Sequence, residues 1–448
     1  MRPVDPCIDD GKSVRWLRTN TTSVLWLLLV VAVGLFSVRG LYRGVRPHLT
    51  NDFFSIYSIS KAWVSGEAAY STPIIVRTFQ DASGFQLGRN TLAQAASYSA
   101  LPGMVPLATP FTLLRWRAAN SAFVLSSAGV LGMMLWMFAK YCGASRNQVL
   151  AFLICCLALG PIHTGLSGSN VTPLLVGLMG ISYLWMRDGR AVPAGILLGV
   201  VGCCKPHIAG ALVLVALAAR EWKTLRVAVV TGVASVAVFG ARLWVAGVPW
   251  WSDFVQRTRQ FGAAGDANDF SLANPARYEL TNLQVIVGSV TSSRGVANLV
   301  AITVGVLLVA VWWMAVRRSG KADLMEFAAI NIILLLPSYH RFDDASVLVF
   351  LFAAAFVQEN RPPGLRKAAA FTALLFAFPV PAASVYLAES GHIPRWLPGS
   401  TWFQVTWLSI DVWFLLFLSI FSIVILWRSG ETTARVDREG LGRILSSS

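Results

Sequence analysis

Asp52 follows the first apolar segment of the chain, in the run Asn51-Asp52-Phe53-Phe54-Ser55-Ile56-Tyr57. A carboxylate just past a membrane span, at the head of a long polar loop, is placed to take a proton at the bilayer surface. Asp is also a favoured helix N-cap, and both roles stay open for Asp52 at this point. Lys205-Pro206-His207 closes a glycine-rich apolar stretch, and its proline removes a backbone donor and disfavours helix at Lys205. A helix broken at membrane depth is tolerated where it lines a site. A lysine there either neutralises a phosphate as a point charge or snorkels to the headgroups.

Pro337-Ser338-Tyr339-His340-Arg341-Phe342-Asp343-Asp344 packs five ionisable residues between two apolar runs. Arg341 offers a planar fork to phosphate oxygens, and His340 offers a hydrogen bond or a proton. The plainer alternative is a turn in which Asp343 or Asp344 pairs with Arg341. Gly168-Ser169-Asn170 and Asn282-Leu283-Gln284 carry amides suited to sugar hydroxyls, as well as to ordinary caps and turns. The chain has no Walker loop, no Rossmann glycine pattern and no Cys/His set with zinc spacing. Asp253, Asp266 and Asp269 lack the tight spacing of a cation loop, so no metal and no cofactor are expected.

The elements that must hold these residues are membrane helices. The chain has 448 residues, 55% hydrophobic and only 13% charged, with a mean hydropathy of +0.60; soluble domains carry roughly 25% charge. Apolar runs long enough to cross the hydrocarbon recur from Thr22 to Trp427. Alternating strand-length segments of a barrel are missing, so helices must satisfy the backbone. The expected fold is all-α, a polytopic bundle of about twelve transmembrane helices with a long first extracytoplasmic loop. The spans read at 22–38, 119–139, 148–163, 171–186, 191–204, 207–219, 226–246, 297–316, 322–337, 345–357, 368–384 and 408–427. They make one membrane domain, 22–427, between a cytoplasmic N-terminal tail, 1–21, and a short, polar, disordered cytoplasmic tail, 428–448.

Two stretches admit alternatives. Residues 98–114 are apolar but carry Pro102, Pro106 and Pro110, and 191–219 is split at Lys205-Pro206-His207. With 98–114 along the outer surface and 191–219 as two short helices, the short basic loops from Lys140/Arg146 to the Arg428 tail face the cytoplasm. The positive-inside rule selects that arrangement. Loops 39–118 and 247–296 are then extracytoplasmic. Asp52, Tyr98, Asn170, Lys205, His207, Gln284, His340, Arg341, Asp343 and Asp344 share their face. The net charge of +15 sits in short clusters between apolar runs, which matches orientation signals and lipid phosphates rather than nucleic acid. Six cysteines read as small apolar fillers, not a disulfide framework. The N-terminal run lacks a small-residue cleavage site and reads as a retained anchor.

Taken in order, these stretches resemble glycosyltransferase family 87, whose members use polyprenyl-phosphate sugars. Asn51-Asp52-Phe53…Tyr57…Ala62…Gly66…Tyr70 is similar to the family's opening motif. Tyr98-Ser-Ala-Leu-Pro102 is similar to its Tyr-Pro-Pro segment with the first proline replaced, and Gly168-Ser-Asn170 to its Gly-Gln-x-Asn. Gly195…Gly199…Lys205-Pro206 matches a glycine-rich helix ending in Lys-Pro, while Asn282-Leu-Gln284 is a looser match to an Asn-Gln-Ser element. Tyr339-His340-Arg341-Phe342-Asp343-Asp344 resembles Tyr-His-Arg-x-Tyr-Asp, with Asp343 where tyrosine is common. The resemblance covers residues 20 to 360.

It implies a GT-C type membrane fold in the cell membrane, with an extracytoplasmic active site and a metal-independent, inverting transfer. Asp52 would be the base, and Lys205, His340 and Arg341 would face the donor phosphate. Tyr57, Tyr98, Asn170, His207, Gln284 and Asp344 complete the expected acceptor and sugar set. The partners would be a polyprenyl-phosphate hexose (mannose) or pentose, and a glycan or glycolipid acceptor. The chemistry is coherent: a carboxylate takes the acceptor proton, and cations stabilise the departing lipid phosphate. Retention would need a second, closely spaced carboxylate; the first loop offers Glu67 and Asp81 besides Asp52. A flippase or transporter of lipid-linked sugars would show internal repeats and midplane polar residues. An O-antigen ligase or polymerase would show a large late extracytoplasmic loop.

Overall fold

The computed structural model describes residues 10–46, 52–84, 100–141, 143–260, 263–266, 268–319, 323–358, 362–394 and 396–446. Tyr98 lies outside the described residues, as do Asn51, Cys7 and Cys142. Among the described residues the fold is all-helical, its only β-pairing being one antiparallel bridge between Leu280 and Arg341.

Helix α1 (Asp10–Leu35) runs on through a π-helical turn at Phe36–Tyr42. Helices α2 (Asp52–Val64), α3 (Thr72–Ser83) and α4 (Met104–Thr112) form the first loop region. Helix α5 (Trp116–Tyr141) is long; α6 (Arg146–Leu157) and α7 (Gly160–Ser167) meet at a 47° bend. Pro161 starts α7 and cannot continue the helix before it. Helices α8 (Thr172–Arg187), α9 (Ala191–Cys204), α10 (Pro206–Ala218) and α11 (Trp222–Val245) follow. The second long loop holds α12 (Trp251–Gln260), a 3₁₀ turn at Arg277–Glu279, and α13 (Leu283–Gly288). After it come α14 (Arg294–Ser319), α15 (Leu324–Leu334), a 3₁₀ segment at Phe342–Leu348 and α16 (Val349–Phe356). The chain closes with α17 (Pro363–Leu375), α18 (Val380–Glu389), α19 (Thr401–Thr406) and α20 (Ile410–Ser446).

Six helical segments are long and apolar enough to cross a membrane, or seven if α6 and α7 make one bent span. Helices α9, α10 and α15 are apolar but shorter, so among the described residues fewer than the expected twelve helices are long enough to cross alone. Burial explains the difference. Every residue of α16, and all of α15 but its last, is buried in protein. Such helices face other helices rather than lipid and need not match the bilayer thickness. Helix α11, by contrast, exposes Val229, Val230, Val233, Val236 and Val238 as a lipid-facing surface needs. The helix of the C-terminal tail is a second departure: α20 continues through residues read as disordered, with no proline to stop it.

The glycine-rich stretch of α9 has a packing cause. A Cβ on Gly195 would lie 2.6 Å from the Thr224 carbonyl oxygen and 2.6 Å from Val227 Cβ. One on Gly199 would lie 2.6 Å from Thr231 Cβ. Small residues four apart let α9 and α11 approach backbone to backbone, as membrane helix pairs commonly do. Lys205 is thereby carried on the end of a tightly clamped helix.

Candidate active site

Helix α2 begins at Asp52, whose backbone N–H donates to the Gly168 carbonyl at 3.0 Å. That contact ties the start of α2 to the end of α7. Helix α7 ends in a Schellman cap: the Asn170 N–H donates to Gly165 O at 2.8 Å, and the Ser169 N–H to Leu166 O at 3.1 Å. The residue in the left-handed position of such a cap is usually glycine, yet here it is Ser169 with φ +48°. Its hydroxyl donates to Asn120 Oδ1 at 2.8 Å, and Asn120 Nδ2 in turn holds the Gly44 carbonyl at 2.8 Å. Strained backbone that the surroundings hold in place marks functional sites. Here it delivers Asn170, whose side-chain N–H donates to Asp52 Oδ2.

Asn170 Oδ1 accepts from the Thr172 N–H at 2.8 Å and from Lys205 Nζ at 3.3 Å. Lys205 breaks the chain between α9 and α10, with φ −142° and ψ 87° ahead of Pro206, the departure from helix that proline imposes on its predecessor. Its ammonium donates to Thr172 Oγ1 at 2.6 Å and to Asp344 Oδ1 at 2.7 Å, and lies 3.7 Å from Asp343 Oδ2. Burial alone would discharge this lysine, but Asp344, Asp343 and Asp52 hold its pKa above the ordinary value. The two carboxylates separate in turn. Burial and the adjacent Asp344 push Asp343 up, whereas at Asp344 burial is outweighed by Lys205 and His340, which hold it well down. Lys205 therefore pairs chiefly with Asp344.

Asp344 Oδ2 also faces His340 Nδ1 at 3.2 Å and accepts from the Arg341 backbone N–H at 3.2 Å. An ionised carboxylate can only accept, so the His340 Nδ1 carries the proton and Nε2 points away from it. The His207 ring stands edge-on to His340 with centroids 4.7 Å apart. Among the described residues the Nε2 atoms of both imidazoles are buried and have no hydrogen-bond partner. Buried polar atoms are ordinarily satisfied, so this pair is open to a ligand. One donor atom each from His207, His340 and Asp344 lie within 4.8 Å of one another, the one grouping among the described residues that offers three metal-ligating side chains.

The loop 337–344 is braced from the second long loop. Thr281 N–H donates to His340 O at 2.9 Å, Leu283 N–H to Leu336 O at 3.0 Å, and Gln284 Nε2 to Pro337 O at 2.9 Å. Arg341 places its guanidinium 3.5 Å from Glu279.

The structure thus joins Asp52, Asn170, Lys205, His207, His340 and Asp344 in one connected cluster, with Arg341 at its edge. Gln284 braces the loop. Tyr57 is placed differently: it is fully buried, its ring against Trp116 and its hydroxyl donating to Leu114 O at 2.9 Å. Thr172 belongs to the centre of the cluster, and sequence reading did not single it out. It precedes Pro173 at the start of α8, where it reads as an ordinary helix start. Asn120, which holds the strained cap through Ser169, was equally silent in sequence. Asp269 is bound up in its own loop, accepting from Ser271 Oγ at 2.6 Å and pairing with Arg294 at 2.7 Å.

Residues 102–338 match the family model described as Glycosyltransferase family 87. Among curated proteins none matches the chain.

Proposed function

Since the chain belongs to glycosyltransferase family 87, we propose that it transfers a sugar from a polyprenyl-phosphate donor to an extracytoplasmic glycan or glycolipid at the cell membrane. The donor sugar in this reading is a hexose, mannose first, or a pentose. The observation that carries it is the joining, within one cluster, of a half-buried carboxylate, Asp52, to a buried cationic set with two open imidazole nitrogens.

Asp52 accepts the proton of the attacking hydroxyl. Asn170 orients it by holding Oδ2, leaving Oδ1 for the acceptor. On the leaving side the lipid phosphate gains charge as the glycosidic bond breaks. The Lys205 ammonium stabilises that charge in place, with no reorganisation at the moment of reaction, and His340 offers its unpartnered Nε2 to the phosphate. Arg341, at the rim, adds a fork donor. Base and cations act from opposite sides of the anomeric carbon, which gives single displacement with inversion. In this reading the transfer is metal-independent, with Asp344 taken up by Lys205 and His340. A flippase is disfavoured by the same arrangement, since it has no use for a carboxylate base linked to a buried cation.

The test is radiolabel transfer from polyprenyl-phosphate mannose, and then from polyprenyl-phosphate arabinose, by membranes with equal amounts of wild type and Asp52→Asn. General-base removal is expected to lower turnover by about 10²–10⁴-fold. Equal transfer by both proteins would take the base away from Asp52.

A further inference from the structure

Away from the Asp52–His340 cluster, a cavity of about 650 Å³ opens between the 3₁₀ turn at Arg277–Glu279 and the segment from α18 to α19. That volume lies within the roughly 300–1,000 Å³ of small-molecule sites. Its lining is amphipathic. Leu272, Val385 and Leu408 supply apolar patches, while Arg277, Tyr278, Glu389 and Gln404 supply polar groups. Arg277 is only 7% exposed. Its Nη2 donates to the Val285 carbonyl at 2.6 Å and to the Ser289 hydroxyl, whereas Nη1 is buried with no hydrogen-bond partner. Gln404 is anchored through Nε2 to Pro398 O at 3.1 Å, which leaves its Oε1 for a ligand. An aromatic ring, an acid, an amide and an unsatisfied guanidinium around apolar patches form the set that recognises a saccharide, whose rings have CH faces and whose edges carry paired hydroxyls.

The cavity also has a route to the chemistry. Tyr278 is followed by Glu279, which meets Arg341, and by Leu280, which forms the β-bridge to Arg341. One short segment therefore lines the cavity and abuts the catalytic loop. Trp396 and Trp402, close in sequence to the lining residues Pro398, Gly399 and Gln404, stand 71% and 66% exposed. Exposed tryptophans of this kind sit at the headgroup level of a bilayer.

We infer that this cavity binds the inner sugars of the acceptor, the saccharide units that precede the one whose hydroxyl is glycosylated. The inference rests on the transferase reading above and assigns the acceptor a second point of attachment. Recognition here selects for acceptor length, because Asp52 does not line the cavity and the two are separate points of attachment.

The experiment compares alkyl monosaccharide and trisaccharide acceptors of mannose, galactose and arabinofuranose, with wild type, Tyr278→Ala and Glu389→Gln in lipid nanodiscs. For the wild type, kcat/KM is expected to favour the trisaccharide by about tenfold, the value of roughly one good additional hydrogen-bonded contact. In both variants the ratio is expected to fall toward unity. A ratio unchanged in both variants overturns the inference, as does an equal loss for both acceptor lengths, which marks a structural or lipid-headgroup site. Saturation-transfer NMR on the same nanodiscs, without donor, separates the two readings. No turnover by wild type on any acceptor counts against the transferase reading alone. Trisaccharide binding that Tyr278→Ala abolishes still supports the cavity, and no binding of any of the trisaccharides by wild type refutes it.

Discussion

Replacing Lys205 by methionine tests the electrostatic core of the site separately from its chemistry. Its ammonium lies 2.7 Å from Asp344 and 3.7 Å from Asp343, and its side chain is only 17% exposed. At an effective dielectric of about 20 those contacts amount to about 6 and about 4 kcal/mol of gross attraction. Desolvation offsets most of this in the intact pair, but removing one partner strands the other, at a cost of about 3–5 kcal/mol. Lys205→Met is therefore expected to destabilise the protein by about that amount, and Asp344→Asn by somewhat less, since Asp343 remains to face the lysine. The double variant Lys205→Met/Asp344→Asn removes both members of the closer pair and leaves Asp343, whose raised pKa lets it go neutral. Its cost should fall short of the sum of the singles by about 2 kcal/mol or more, the coupling of residues in direct contact. The assay is thermal unfolding in detergent followed by tryptophan fluorescence, with transfer activity measured on the same samples. The double variant is expected to lose less stability than the singles' sum while transfer stays lost. Singles that unfold with wild type, or effects that simply add, would refute the pairing.

Other expectations are more local. Tyr57→Phe removes the hydrogen bond to Leu114 O and the long one accepted from Lys61 Nζ, so it should cost about 1 kcal/mol of stability and leave transfer kinetics at the wild-type level; a large rise in acceptor KM would return Tyr57 to the site. Gly199→Val drives a side chain into Thr231 and the Ala228 carbonyl, and overpacking of this kind costs about 1–3 kcal/mol or more. A Tm unchanged from wild type would show that α9 and α11 do not meet as described. Asp343 has a folded-state pKa raised to about 6, by burial and then by Asp344. A raised acid contributes stability that is fully present below its unfolded value and lost as pH rises through the folded one, here between about pH 4 and pH 7. Asp343→Asn should flatten that part of the stability profile, seen as Tm against pH; an unaltered profile would place the titration elsewhere.

Much of this protein is legible in the order of its residues. Apolar runs such as 226–246 and 297–316 announced helices, because backbone in lipid has no other partner for its N–H and C=O groups. The helix break at Lys205 was legible for an equally local reason, the steric demand of Pro206 on the residue before it. Ionisable residues at Asp52, Lys205 and His340 stood out because desolvating a charge is expensive wherever the chain folds. Two kinds of fact belong to the tertiary structure alone. A helix facing lipid and a helix facing protein are equally apolar, so hydropathy could not tell that α15 and α16 are interior while α11 is peripheral. Nor could it show that Asn170 would meet Asp52 across 118 positions, or Lys205 meet Asp344 across 139. Those partners are selected by where α7, α8, α9 and the 337–344 loop end relative to one another. The same geometry drew an unremarkable Thr172 to the centre of the site and sent Tyr57 into the core. Residue type determines which groups cannot be left alone, and packing determines which of them answer one another.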